Sequence, residues 1–209
     1  MKGLMKVIRI AMAKGRISGE AVDLLKKYGV VFEGANDSRK LIIPDTTSRY
    51  ELILVKPADT PVYVERGVAE CGIVGRDVIL ESDPDVYSLF SIPAAQCRLC
   101  VAGKPGTDIY KMKHVTAASK FTDSAHRFFE KKGISHDVVL LNGSVELAPL
   151  LGMSDVIVDI VETGSTLREN GLVILEEICD IAPVFIVNKA ALKTKYDELA
   201  ELIMMLKGQ

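Results

Sequence analysis

This sequence carries no surplus of charge of either sign. Its 26 Lys and Arg stand against 28 Asp and Glu, a formal net charge of −2. That balance argues against nucleic acid as a partner, and short clusters such as KMK and EKK read as solvated faces. Long apolar runs are missing as well. None approaches the roughly 20 residues of a membrane span. The N-terminal MKGLMKVIRIAMAKGR is interrupted by Lys6, Arg9 and Lys14 and has no small-residue cleavage site after it. A buried first strand therefore fits it better than a signal peptide, and a cytoplasmic location is expected. Cysteine is scarce, at Cys71, Cys97, Cys100 and Cys179. QCRLCVAG reads as a strand, in which residues three apart point to opposite faces. No second CxxC or His pair completes a zinc site. Cys71 and Cys179 lie in apolar runs and read as buried thiols. The three histidines, His114, His126 and His136, fall in no catalytic motif and read as incidental surface residues. A GxxxxGK[ST] motif is absent, which excludes a P-loop NTPase.

What the chain does have is alternation. It is 48% hydrophobic and 26% charged, ordinary for a soluble globular protein, and 209 residues allow one large domain or two small ones. Apolar strands (KVIRIAMA, KLIIP, ELILVKP, CGIVG, KHVTAAS, DVVLLNG, DVIVDIV) alternate with helical patterns (ISGEAVDLLKKYG, ADTPVYVERGVAE, RDVILES, FTDSAHRFFEKKG, SVELAPLLG, TGSTLRENG). This predicts an α/β architecture with mainly parallel sheets. Asp59 or Thr60 is expected to cap the second helix, with Pro61 in its first turn.

Two long apolar segments break the alternation. YSLFSIPAAQCRLCVAG and LVILEEICDIAPVFIVN carry Pro93 and Pro183 near their middles, and proline is poorly tolerated in a central strand. Each reads as two strand pieces that change sheets at the proline. Such paired crossovers predict two lobes around a cleft: residues 1–93 with 184–209, and residues 94–183. KAALKTKYDELAELIMMLKG predicts one amphipathic helix returning to the first lobe.

DIVETGSTL, Asp159 to Leu167, holds the strongest local signal. A buried strand ends in a glycine turn with hydroxyls at Thr163, Ser165 and Thr166. Such a turn offers consecutive backbone N–H groups to an anion. Ser and Thr are also ordinary helix caps, so TGST alone fits either reading. Asp159, an acid inside VIVDIV, tips the balance. At the carboxyl end of a strand, where open α/β sheets bind ligands, it could accept hydrogen bonds from sugar hydroxyls. Turn and carboxylate together suggest a phosphorylated ribose.

From Glu146 to Leu172, ELAPLLGMSDVIVDIVETGSTLRENGL resembles the signature region of ATP phosphoribosyltransferases. AMAKGRI, SRKLI, ADTPVYVERGVAECGIVGRDVILE, AQCRLCVAG and ICDIAPVFIVN resemble family segments in family order. The resemblance implies a two-lobe fold like that of type II periplasmic binding proteins. It implies transfer of phosphoribosyl from phosphoribosyl pyrophosphate (PRPP) to N1 of ATP, with release of pyrophosphate and a need for Mg²⁺. The chain looks like the family's short form, which implies a hetero-oligomer with a histidyl-tRNA-synthetase-like regulatory subunit and a catalytic-chain dimer. Thr163, Gly164, Ser165 and Thr166 would bind the 5-phosphate, and Asp159, with Glu146, the ribose hydroxyls. Glu162 would face the opposite way in a strand, so Asp159 is favoured and a contact from Glu162 stays open. Lys14, Arg16 and Arg39 would serve the pyrophosphate and the ATP phosphates. Gly75, Arg76, Asp77 and Asp59 are further candidates for contact with ATP or pyrophosphate. Direct protein ligands for the metal are not expected, since Mg²⁺ would arrive on the substrate phosphates. Adenine N1 already carries a lone pair, so alignment rather than a catalytic base is required. A small-ligand-binding protein or sensor of the same fold is the competing reading. Receptors of that kind usually carry export signals and lack the DIVETGSTL turn.

Overall fold

The computed structural model describes residues 7–13, 16–34, 40–92 and 97–207. Chain order runs β1 (Ile8–Ala13), α1 (Arg16–Lys27), β2 (Ile42–Pro44), β3 (Tyr50–Val55), α2 (Thr60–Glu65), β4 (Cys71–Gly75), α3 (Arg76–Ser82) and β5 (Tyr87–Ser91). It continues with β6 (Cys97–Gly103), β7 (Val115–Ser119), α4 (Thr122–Lys132), β8 (His136–Leu140), α5 (Leu147–Leu151), β9 (Val156–Val161), α6 (Ser165–Glu169) and β10 (Val173–Ile181). The chain closes with β11 (Pro183–Val187), α7 (Lys189–Thr194) and α8 (Tyr196–Lys207). Two compact units result, Met1–Ala94 with Ala182–Gln209, and Ala95–Ile181.

The first unit is built on a six-stranded sheet of order β2-β3-β1-β4-β11-β5. Its central strands are apolar at almost every position because both faces are covered, as the physics of buried sheets requires. Ile8, Ile10, Met12, Leu52, Leu54 and Phe185 pack on one face with Leu25 of α1 and with Leu199, Leu202 and Leu206 of α8. Ala11, Ile53, Val74, Val184 and Ile186 pack on the other with Val64 of α2. The alternation of even and odd residues along β1 and β3 sorts each side chain to its face.

The second unit is a five-stranded sheet of order β10-β6-β9-β7-β8. Cys100, Ala102, Ala118, Ile157 and Val161 cover one face with Val145 and Ala148 from α5 and its approach, and with Leu167 of α6.

Both proline-bearing segments change sheets: β5 lies in the first sheet and β6 in the second, β10 in the second and β11 in the first. The expectation of mainly parallel sheets needs correction. Parallel pairing holds for β3-β1-β4 and for β9-β7-β8. β11 pairs antiparallel with β4 and β5, β6 with β9 and β10, and β2 with β3.

The single C-terminal helix predicted over 189–208 is in fact two. α7 is capped by Asn188, whose side chain accepts from the N–H groups of Ala190 and Ala191, and it ends at Lys195, φ −135° and ψ 37°. There the Lys195 ammonium donates to Glu70 at 2.6 Å. The capping roles foreseen for Asp59 and Thr60 are not made either. A short 3₁₀ turn, Pro57–Asp59, leads into α2, and Asp59 makes no side-chain cap bond. Among the described residues, no helix is long and apolar enough to cross a membrane.

Candidate functional site

β9 sets the position of the central carboxylate. Period-two alternation puts Asp159 on the same face as Ile157 and Val161, the face covered by α5 and α6. Antiparallel pairing with β6 places Asp159 opposite Cys100. The strand stops at Val161, and Gly164 turns the chain into α6 at φ 71°, ψ 13°. That left-handed conformation is open to glycine at little cost. Within the turn, the Thr163 and Ser165 hydroxyl oxygens are 3.1 Å apart.

These elements enclose a cavity of about 230 Å³. Asp159, Glu146, Thr163, Gly164, Ser165 and Thr166 all line it, together with Cys100, Glu162 and the apolar floor of Ile157 and Leu167. Glu146 is brought there as the residue that starts α5. Glu162, whose contact the sequence leaves open, also lines the cavity. Strand alternation no longer applies to it because it lies beyond the end of β9, and it faces the same cavity as Asp159.

Electrostatically the cavity is lined by acidic side chains, Glu146, Asp159 and Glu162. Burial pushes the Asp159 carboxyl up, opposed by the Ile160 N–H that it accepts from, then reinforced by the Glu146 charge and eased by Lys120. Burial also raises the Cys100 thiol to about 11, which keeps it neutral at pH 7 and unsuited to act as a nucleophile. Lys120 escaped the sequence reading. β7 runs parallel to β9 with Ser119 beside Val158, so the next residue, Lys120, comes level with Asp159. Only the pairing register could have revealed this.

The candidates of the other unit lie elsewhere. Gly75 ends β4 and starts α3, and a Cβ there would collide with the carboxylate of Asp77. The Asp77 side chain would have to move to admit any larger residue at 75. The Arg76 N–H donates to the Ala182 carbonyl at 3.0 Å. Arg16 is the first residue of α1. Lys14 and Arg39 lie outside the described residues.

Two of the incidental histidines prove to be neighbours. His126 Nδ1 and His136 Nε2 are 2.9 Å apart, and His136 stacks on Phe129. Their place is the packing of α4 on β8, and none of the three histidines lines the cavity. A second cavity of about 320 Å³ lies beside Lys104, Thr116 and Asp155, at the opposite end of β7 and β9, and holds none of the predicted site residues.

Known proteins share this sequence and this arrangement. The family described as ATP phosphoribosyltransferase (HisG) matches residues 56–208. The ATP phosphoribosyltransferase of Caldanaerobacter subterraneus subsp. tengcongensis is 46% identical over 204 residues, covering 97% of each chain. That of Aquifex aeolicus is 43% identical over 202 residues, covering 96% of this chain and 94% of the relative. Among solved structures, the ATP phosphoribosyl transferase (HisG:HisZ) complex from Thermotoga maritima superposes with a TM-score of 0.84 at 36% identity, covering 97% of this chain and 98% of that one. The alkanesulfonate-binding protein SsuA from Xanthomonas axonopodis pv. citri, solved with MOPS, has a TM-score of 0.59 at 12% identity, covering 95% of this chain and 71% of that one. At that identity the likeness is one of fold alone, that of the two-lobe binding proteins.

Proposed function

The chain belongs to the ATP phosphoribosyltransferase family, and we propose that the cavity of its second unit holds PRPP while the phosphoribosyl group passes to N1 of ATP, the first step of histidine biosynthesis. The observation that carries this is the meeting of the left-handed Gly164 turn, three hydroxyls and a half-buried carboxylate in one cavity. Backbone N–H groups and the hydroxyls of Thr163, Ser165 and Thr166 take the 5-phosphate. Asp159 and Glu146 accept from the ribose hydroxyls, and Glu162 joins them at the rim.

As the bond from C1 to pyrophosphate breaks, positive charge grows on the ribose and negative charge on the leaving group. Asp159 favours the first. Lys14, Arg16 and Arg39, with Gly75, Arg76, Asp77 and Asp59 as further contacts, are assigned to the pyrophosphate and ATP, where fixed cations and donors stabilise the second. Among the described residues no group of three acidic, His or Cys side chains is placed to hold a metal ion. Mg²⁺ keeps water and phosphate ligands in preference to a protein cage, so it would come on the substrate phosphates and lower the charge of the departing pyrophosphate when bound.

The heteromeric Thermotoga structure supports a hetero-oligomer with a second kind of subunit; we assign that subunit as the histidyl-tRNA-synthetase-like regulator of the short form, with a catalytic-chain dimer in the cytoplasm. Incubation with ATP, PRPP and Mg²⁺, with pyrophosphate removed as it forms, is expected to yield the phosphoribosyl-ATP chromophore. Absence of product at high enzyme concentration, with and without the regulatory subunit, would defeat the proposal.

A further inference from the structure

Arg168 is exposed on α6 beside the cavity, and its guanidinium bonds to backbone rather than to a carboxylate among the described residues. Its guanidinium folds back instead over the turn that precedes its own helix. Nη1 donates to the Thr163 carbonyl oxygen at 3.0 Å and lies 3.3 Å from where a Cβ on Gly164 would sit. The Arg168 backbone N–H donates to the Gly164 carbonyl at 3.1 Å. Thr163, Gly164, Ser165 and Thr166 line the cavity, whereas Arg168 does not. The guanidinium therefore holds the turn from behind.

The peptide bond between Thr163 and Gly164 is planar and trans, so its C=O and its N–H point to opposite sides. Fixing the Thr163 oxygen on the guanidinium turns the Gly164 N–H away from Arg168, toward the cavity. Without that anchor the peptide would be free to flip. Glycine tolerates both signs of φ, and Gly164 is held at φ 71°. A flip would present a carbonyl oxygen to an incoming phosphate, which repels it.

We propose that Arg168 is a positioning residue that locks the Thr163–Gly164 peptide with its N–H facing the phosphate of PRPP. The inference rests on the reading of this turn as the 5-phosphate site. It assigns the guanidinium no contact with substrate. Its bond to the carbonyl is charge-assisted, the stronger class of hydrogen bond, and its positive charge one peptide away favours the anion further.

The test uses the full chain as wild type, Arg168→Met and Arg168→Lys. Two quantities are read: steady-state kinetics with each substrate varied, and the amide resonance of Gly164 during titration with PRPP or inorganic phosphate. In the wild type the Gly164 amide shifts on binding. In Arg168→Met the KM for PRPP rises about tenfold, the loss expected for one charge-assisted hydrogen bond. The KM for ATP and the kcat at saturating PRPP stay near wild type, and the Gly164 shift is lost or reversed. Arg168→Lys recovers part of the affinity, because an ammonium can also donate to the Thr163 oxygen. An unchanged KM for PRPP in Arg168→Met would overturn the proposal. So would a raised KM with the wild-type Gly164 shift intact, which would put the guanidinium on the anion itself. A wild-type Gly164 amide that ignores both ligands would instead remove the phosphate reading of the turn, and this inference with it.

Discussion

Asp159→Asn is expected to lower kcat/KM for PRPP by roughly 10²–10³, the loss typical of removing one group that stabilises charge in a transition state. Asparagine preserves shape and one acceptor oxygen but deletes the negative charge beside the ribose. The same variant is expected to be more stable. Burial raises the Asp159 carboxyl above its ordinary value in the folded chain. The folded state thus binds this proton more tightly than the unfolded state does, and stability falls as pH rises from the ordinary carboxylate range through the raised value. Above the raised value the whole cost of ionising Asp159 is present, and asparagine removes it. A higher melting temperature at pH 7 should accompany the lost activity. The gain should vanish below the ordinary carboxylate range, where Asp159 is protonated in both states. Kinetics with PRPP varied and thermal melts across pH check both halves. Wild-type turnover in Asp159→Asn would remove the residue from the mechanism.

The second large effect falls on stability. Phe185→Ala is expected to cost about 3–5 kcal/mol, the range for truncating a buried aromatic in a packed core. Phe185 is 0% exposed, stacks on Phe90 with ring centroids 5.3 Å apart, and sits across from Ile73 and Phe90 in the two neighbouring strands. A domain of this size is stable by only about 5–15 kcal/mol in total. Denaturant unfolding measures the loss. A change below about 1 kcal/mol would mean that the sheet interior relaxes far more than close packing allows.

Much of the fold is legible because local chemistry and tertiary position agree. Helices end at Gly29, Gly133 and Gly152, each at positive φ, and the central strands of the first sheet are apolar on both faces because both are covered. Pro183 does begin the strand that follows a change of sheet. Strand direction was not legible, since hydrophobic pattern is blind to whether a neighbour runs parallel. The break at Lys195 was hidden for a related reason: a continuous helical pattern does not report that one lysine is drawn to Glu70, far away in sequence.

At the site, residues contiguous in sequence were the readable ones. Asp159 and Thr163 to Thr166 form one run, and that run forms one wall of the cavity. Glu162 was not legible because strand alternation stops at the end of β9. Cys100 and Lys120 come from other strands and are brought level with Asp159 only by pairing register. Arg168 lay in plain view in the sequence, but its role depends on a side chain folding back onto the peptide before its own helix.

The most direct test of the central claim, that the turn after β9 holds the phosphate of PRPP, is the response of the two substrates to loss of the turn's hydroxyls. Thr163, Ser165 and Thr166 are exposed, so the combined change Thr163→Val, Ser165→Ala and Thr166→Val leaves the fold intact. With both substrates varied, the KM for PRPP should rise by more than about tenfold, from the loss of several hydrogen bonds to a charged group, while the KM for ATP stays near wild type. An unchanged KM for PRPP, or a loss confined to ATP, would contradict it.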